Sequence, residues 1–440
     1  MSYHSFNSLG IRKLHLALLA LMLIIGISAC KKDDDETPAC KNEAPTTGTR
    51  TQFTLDSIFL YAKEVYYWQD ALPCYDAFDP RNRYAGINPE LSAYRQELFD
   101  ITQYKLNAAG VPIENPINAG SPRYSYLERN ASKGFAFSAG VASSFSSSVM
   151  HQIIEINNKK VAYLKFDSFD LLSNMRVGLD AAFDEFANAG AETLIVDLRN
   201  NGGGYVETAA EIADRIAPTS LNGKTMFSEL FNPILRSGKA EMLKNQLFIN
   251  EDGNSEEIYD DVLKKHRLAT MADANFAEAD NITKFSKKGK LETVKNLYFI
   301  VTGRTASASE LLISSFKPHL SVRLVGQRTY GKPVGFFGID VDKYTVYLAS
   351  FLLRNADGWS DYFDGIPADI PVTGEPSAPI GDPRELYLAT ALSDIIAKSK
   401  QKGSVSIRTT ARVYSEAPSS PLQSDVDYIP LVKKHFKLKE

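Results

Sequence analysis

Ser307, Lys332 and the glycine run 202–204 are the residues whose types and spacing could do chemistry together. Ser307 stands between two alanines in TASASE at 305–310, after the apolar, β-branched run LYFIV at 297–301. It precedes ASELLISSFK, whose apolar residues recur at helical spacing. This predicts a strand-to-helix corner with a serine at its apex, flanked by Ala306 and Ala308, which are too small to hinder a substrate. Such a serine can be a nucleophile, or half of a capping box with Glu310. Lys332 follows in TYGKPVGFFG, where Tyr330, Pro333, Val334, Phe336 and Phe337 include no acid. A lysine normally has a pKa near ~10.4 and cannot accept a proton. Burial among apolar groups lowers that value, so the amine could serve as general base to a serine hydroxyl. The alternative is a loop lysine reaching to water. The third stretch, DLRNNGGG at 197–204, follows the apolar TLIV and precedes a helix expected at about 205–216. Its glycines allow backbone amides to point into a cleft. They could form an oxyanion hole, a phosphate cradle or merely a tight turn. The Walker pattern GxxxxGK[ST] is absent.

Taken together, VDLRNNGGG at 196–204, TASASE at 305–310 and RTYGKPVG at 328–335 resemble the S41 serine peptidases, the C-terminal (tail-specific) processing proteases and their relatives. The order of the blocks and the serine-to-lysine spacing also match that family. The resemblance implies Ser307 as nucleophile, Lys332 as general base, and the backbone amides of Gly203 and Ala308 as oxyanion donors. Glu310 and Thr329 match positions with supporting roles. Several members carry a glutamine four residues after the lysine to orient it, and here that position is Phe336. Lysine orientation must then come from elsewhere, with Thr329 a candidate.

Other chemistries find little support. After residue 30 the only histidines are His151, His266, His319 and His435, with no HExxH and no clustered Cys/His ligands, so no metal or other cofactor is expected. There is no GxSxG elbow, and His319 lies a whole helix length from Ser307. A net charge of −4 gives no electrostatic case for nucleic acid.

The elements that must position these residues follow from the rest of the chain. Arg12 and Lys13, the apolar run 14–25 and ISAC at 27–30 read as a signal peptide over 1–29. The run is shorter than the ~20 residues that span a bilayer. ISAC resembles a bacterial lipobox, which implies Cys30 as the lipidated residue and a protein anchored to the outer membrane, periplasmic or surface-exposed. KKDDDE at 31–36 reads as a solvated charge run and also resembles the acidic surface-export tag of Bacteroidetes-type lipoproteins. Of the three cysteines, Cys40 and Cys74 could then form a disulfide or remain free thiols.

Residues 30–50 are expected to be a linker, and 51–128 a small helical domain. One helix runs from Phe53; a second is capped by Asn88, with Pro89 first, and runs to about Tyr104. The aromatic cluster VYYWQDALP at 65–73 reads as core packing. Family members commonly insert a PDZ domain next, and GFAFSAGV at 134–141 resembles its first strand; the segment 129–159 is too short for the whole, so a lost or reduced PDZ is expected. From 160 to 400 strands and helices alternate, predicting an α/β core. The resemblance implies a ββα-superhelix of the ClpP/crotonase type, with 220–292 as a variable insertion able to act as a lid. A last helix is expected from an Asp382 cap with Pro383 first to about Lys398, followed by a Ser/Pro-containing tail, 401–440. The reading that results is an envelope serine endopeptidase acting on protein or peptide substrates through a Ser/Lys dyad. Its rivals are a degenerate surface lipoprotein that binds peptides or glycans, and a self-inhibited peptidase.

Overall fold

The computed structural model describes residues 41, 43–116, 118–130, 149–156, 158–250, 253–376, 378–398, 407–414 and 436–439. The expected signal peptide, Cys30, Cys40 and the PDZ-like GFAFSAGV lie outside them. A seven-stranded sheet carries the fold. Its strands are β1 (Val149–Ile156), β2 (Lys159–Lys165), β3 (Thr193–Asp197), β4 (Asn296–Val301), β5 (Ser321–Gly326), β6 (Ile370–Pro371) and β7 (Ile407–Tyr414). The spatial order is β6-β5-β4-β3-β2-β1-β7. Strands β2 to β6 run parallel, whereas β1 is antiparallel to both β2 and β7.

Six helices matter to the argument: α1 (Arg50–Val65), α2 (Glu90–Thr102), α3 (Leu172–Ala189), α4 (Val206–Ile216), α5 (Ala308–Phe316) and α6 (Leu386–Lys398). Successive side chains of a strand point to opposite faces of the sheet. Here both faces are covered, which is why TLIV and LYFIV are unbroken apolar runs. Leu194, Val196, Leu297 and Phe299 join the main core with Phe183 and Phe186 of α3 and Leu312 and Phe316 of α5. Tyr163, Ile195, Tyr298, Ile300 and Val325 form a second core with Tyr387, Leu388, Ala391 and Leu392 of α6.

The N-terminal helices dock onto this body. Helix α1 opens on a Thr49/Gln52 capping box and buries Leu55, Ile58, Phe59, Ala62 and Val65. The aromatic cluster after it packs as core, with Tyr66 and Trp68 edge to face at 5.4 Å and both buried. Tyr67 N–H donates to Ala349 O (2.7 Å), and Asn232 Nδ2 donates to Glu64 O and Tyr66 O. Cys74 is disulfide-bonded, with its partner outside the described residues.

Several boundaries differ from expectation. Helix α2 starts at Glu90, because Pro89 itself is extended (φ −70°, ψ 162°) and Asn88 is not its cap. Helix α6 starts at Leu386, because the Glu385 carboxylate, rather than Asp382, takes the first amides, those of Tyr387 and Leu388 (3.1 Å each). Asp382 instead binds Arg384 (2.6 Å). Past the lysine loop the chain forms two strands, Tyr344–Tyr347 and Phe351–Asn355, in different sheets. The expected insertion contributes Thr225–Phe231 and Ile282–Lys284 to a four-stranded antiparallel sheet with Val334–Gly335 and Phe351–Asn355. It is therefore woven into the body at both ends, and only its middle is a separate hairpin, Glu257–Asp260 with Lys265–Leu268. The C-terminal tail supplies β7, and Phe436 packs against Phe231, Phe276 and Phe337.

Candidate active site

The three chemical stretches leave the sheet side by side. The glycine run follows β3, Ser307 follows β4 and Lys332 follows β5, and these are adjacent parallel strands. In an open α/β sheet the carboxyl ends of the strands are where ligands bind. Parallel pairing alone thus gathers residues far apart in sequence at one sheet edge.

Ser307 is fully buried and is the residue that caps α5. Its backbone sits at φ 58°, ψ −117°, a region costing a non-glycine residue about 1–3 kcal/mol. Its Oγ makes no hydrogen bond to any described residue, so the cap is formed only from the other side. There Glu310 Oε2 accepts the Ser307 N–H (3.1 Å). The same oxygen accepts the Lys332 N–H (2.8 Å), while Oε1 accepts Gly331 N–H (2.7 Å) and Thr329 Oγ1–H (2.5 Å). Thr329 Oγ1 in turn accepts the Ile366 N–H (2.7 Å). Burial raises the Glu310 carboxyl above its ordinary pKa, and these four donors pull it back. All four surrounding groups donate, which suits the carboxylate form. One carboxylate thus ties the Ser307 corner to the Lys332 loop.

Lys332 is 2% exposed. Burial lowers its amine to about 8, opposed by the Glu114 and Glu310 carboxylates. Its Nζ lies 4.9 Å from the centroid of the Phe336 ring, so the residue in place of the glutamine is a wall of the lysine site.

The glycine run presses directly on the serine. Gly203 has φ 106°, and a Cβ there would come within 2.7 Å of Ser307 Cβ and 2.9 Å of the Ala308 nitrogen. Gly204 has φ 141°, and a Cβ would meet Phe169 O at 2.1 Å. The Gly203 N–H donates to Asn201 Oδ1 (3.0 Å). Buried Asn201 also accepts from Ser309 Oγ (3.0 Å), donates from Nδ2 to Phe166 O (3.0 Å) and receives the Ala306 N–H on its carbonyl (3.1 Å). It pins the glycine turn to the Ser307 corner. The strand before the turn is anchored by a buried network: Arg199 binds Asp197 (2.5 Å) and Glu385 (2.9 Å), and Tyr163 OH donates to Asp197 (2.7 Å).

All six sequence-predicted residues of the core site, Ser307, Lys332, Gly203, Ala308, Glu310 and Thr329, are buried and adjoin one another through these contacts. Asn201 and Glu385 escaped sequence reasoning. For Asn201 the signal was an asparagine two residues before a glycine whose amide needs a partner, a side chain prone to bond the backbone two residues on. Among the described residues no His/Cys/Asp/Glu group could hold a metal ion, and no helix is long and apolar enough to cross a membrane.

The fold and site are those of an α/β protein with a serine, a buried lysine and a glycine turn converging at the strand ends. Residues 160–372 match the model of peptidase family S41. The family consists of peptidases, whose substrates are proteins or peptides. Solved structures that this chain resembles include a Bacteroides fragilis chain described as an S41 protease: 21% identity, 57% of this chain and 58% of that one, TM-score 0.41. A Parabacteroides merdae chain described as a peptidase gives 14% identity, 80% and 98% coverage and a TM-score of 0.46. The photosystem II D1 C-terminal processing protease gives 15%, 74% and 94%, and 0.42. No curated protein matches the chain.

Proposed function

We propose that the protein is a serine endopeptidase in which Ser307 is the nucleophile and Lys332 the general base. The observation that carries this reading is a buried serine hydroxyl, unbonded on a strained corner, tied through Glu310 to a lysine whose amine titrates near 8. The hydroxyl oxygen attacks the peptide carbonyl while neutral Lys332 Nζ takes its proton. Negative charge then develops on the carbonyl oxygen beside the first amides of α5, where Ala308 N–H is not spent within the helix and the helix dipole is favourable. Gly203 N–H is the second donor, once Asn201 Oδ1 gives it up. The ammonium next protonates the leaving amine, and the same lysine activates water to hydrolyse the acyl-enzyme.

The wider frame is a ββα-superhelical core with a small N-terminal helical domain and a reduced or missing PDZ domain. Cys30 carries the lipid anchor in the cell envelope, and Cys40 is the partner of Cys74.

The decisive experiment follows cleavage of an unfolded protein by the soluble form, residues 31–440, beside Ser307→Ala and Lys332→Ala. Wild type cuts, and each folded variant loses on the order of 10³-fold or more of kcat/KM. Retained cleavage by Lys332→Ala would remove lysine from the mechanism. The full burial of Ser307 favours a second reading, a latent enzyme that opens on a partner or on cleavage of the insertion. In that case wild type is silent until limited proteolysis switches it on. Silence under both conditions returns the protein to a peptide- or glycan-binding role.

A further inference from the structure

The loop that presents Lys332 is held on two edges, and only one of the holders belongs to the S41-matching segment. On the amide edge stands Glu310, bonded to the N–H groups of Gly331 and Lys332. On the carbonyl edge stands a strap formed by residues 112–116 and 118–125. Arg123 Nη2 donates to Tyr330 O (2.5 Å), and its guanidinium lies over the Tyr330 ring at 4.9 Å. Buried Tyr124 donates its hydroxyl to Gly331 O (2.7 Å).

The strap is itself fastened by a carboxylate. Glu114 is fully buried; Oε2 accepts Tyr124 N–H (3.0 Å) and Ser125 N–H (2.8 Å), and Oε1 accepts Ser125 Oγ–H (2.8 Å). Ser125 Oγ in turn accepts Ala349 N–H (3.0 Å). The chain then runs into the strand Tyr126–Arg129, where Tyr126 meets Phe336 edge to face at 5.9 Å. The strap therefore also fixes the ring beneath the amine.

We propose that this strap, which precedes the family-matching segment, is part of the catalytic apparatus: Tyr124 and Arg123 position Lys332, and Glu114 fastens the strap that carries them. The inference rests on Lys332 being the general base. Charges acting on Lys332 come from Glu310 on α5 and Glu114 on the strap. Arg123, Tyr124 and Tyr330 lie along the same loop, Tyr66 faces Glu114 and Tyr362 faces Glu310, with the Tyr66, Tyr124 and Tyr362 hydroxyls kept neutral by burial.

The test compares soluble wild type with Tyr124→Phe and Glu114→Gln by two readouts. One is the pH dependence of kcat and kcat/KM. The other is an NMR titration of the Lys332 amine in protein carrying 15N-lysine, which needs no activity. Glu114→Gln removes a negative charge that favours the ammonium, so both midpoints move down, by roughly one pH unit. Tyr124→Phe frees the Gly331 carbonyl and lowers kcat roughly tenfold or more, with KM little changed and the fold intact. If Glu114→Gln does not fold, Tyr124→Phe decides. Unmoved midpoints and an unchanged kcat, in an enzyme that still depends on Ser307 and Lys332, reduce the strap to packing and overturn the proposal. If wild-type cleavage proves independent of Lys332, the dyad has failed instead. The NMR titration then judges the strap alone, a downward shift supporting it and no shift overturning it.

Discussion

Glu310 reads in sequence as the third residue of a capping box, yet it meets four donors from two loops. A glutamine there keeps the volume but turns an N–H₂ toward two of those donors. Each buried donor left without an acceptor costs about 1–3 kcal/mol. Glu310→Gln is therefore expected to lower Tm by several degrees and to reduce kcat, because it displaces Ser307 and Lys332 together. Thermal unfolding and steady-state kinetics on the same sample check both. The lysine makes a prediction with a definite sign. In the proposed dyad its neutral form is the working base, and burial lowers its amine to about 8. Below that pH the ammonium dominates, so kcat/KM rises with pH through about 8 and levels above it. A rate profile measured from pH ~6 to ~9.5 tests this, and a flat one excludes Lys332 as the base.

The strand-to-helix corners make the site, and they fail in a predictable way when altered. A methyl group at Gly203 would collide with Ser307 Cβ and the Ala308 nitrogen, which are backbone-fixed and cannot swing aside, and it would strain a φ of 106°. Gly203→Ala is expected to destabilise by more than the about 0.4–1 kcal/mol that a conformationally compatible glycine-to-alanine change gains and to abolish cleavage; residual Ser307 labelling by an acylating reagent reads out the corner directly. These corners were legible because their signals are local: an apolar strand, small residues or glycines, then helical spacing. The strap was not, because its meaning lies in contacts across the chain. Glu114 looks like a surface-loop acid, and nothing near it in sequence reveals that it will be buried against Tyr124 and Ser125. The start of α6 misled for a related reason. Asp382-Pro383 carries the usual start signal, but Glu385 is fixed by its buried pair with Arg199 and so captures the first amides. The insertion misled because polar composition hid two strands that pair with each other and join the body only through Phe351–Asn355, far off in sequence.

The family-matching segment is not a self-sufficient body. It ends at residue 372, but the second face of the central sheet is covered by α6, at 386–398, and the sheet continues through β1, which begins at 149. Without α6, Tyr163, Ile195, Tyr298, Ile300 and Val325 would face water. Three large side chains of that helix, Tyr387, Leu388 and Leu392, are 3% exposed or less. At about 2 kcal/mol each they contribute roughly 6 kcal/mol, comparable to the whole stability of a domain at about 5–15 kcal/mol. Their partners would also become an exposed apolar patch, a cause of association. A soluble form ending at residue 372 is therefore expected to aggregate or to lack a cooperative thermal transition. One ending at 398 should unfold cooperatively, because both faces of β2 to β5 are then covered. Gel filtration and near-ultraviolet circular dichroism on the two forms decide the matter. Equal behaviour would mean that α6 is an ornament on the sheet, and that the buried network joining Asp197, Arg199 and Glu385 does not hold the glycine turn in place.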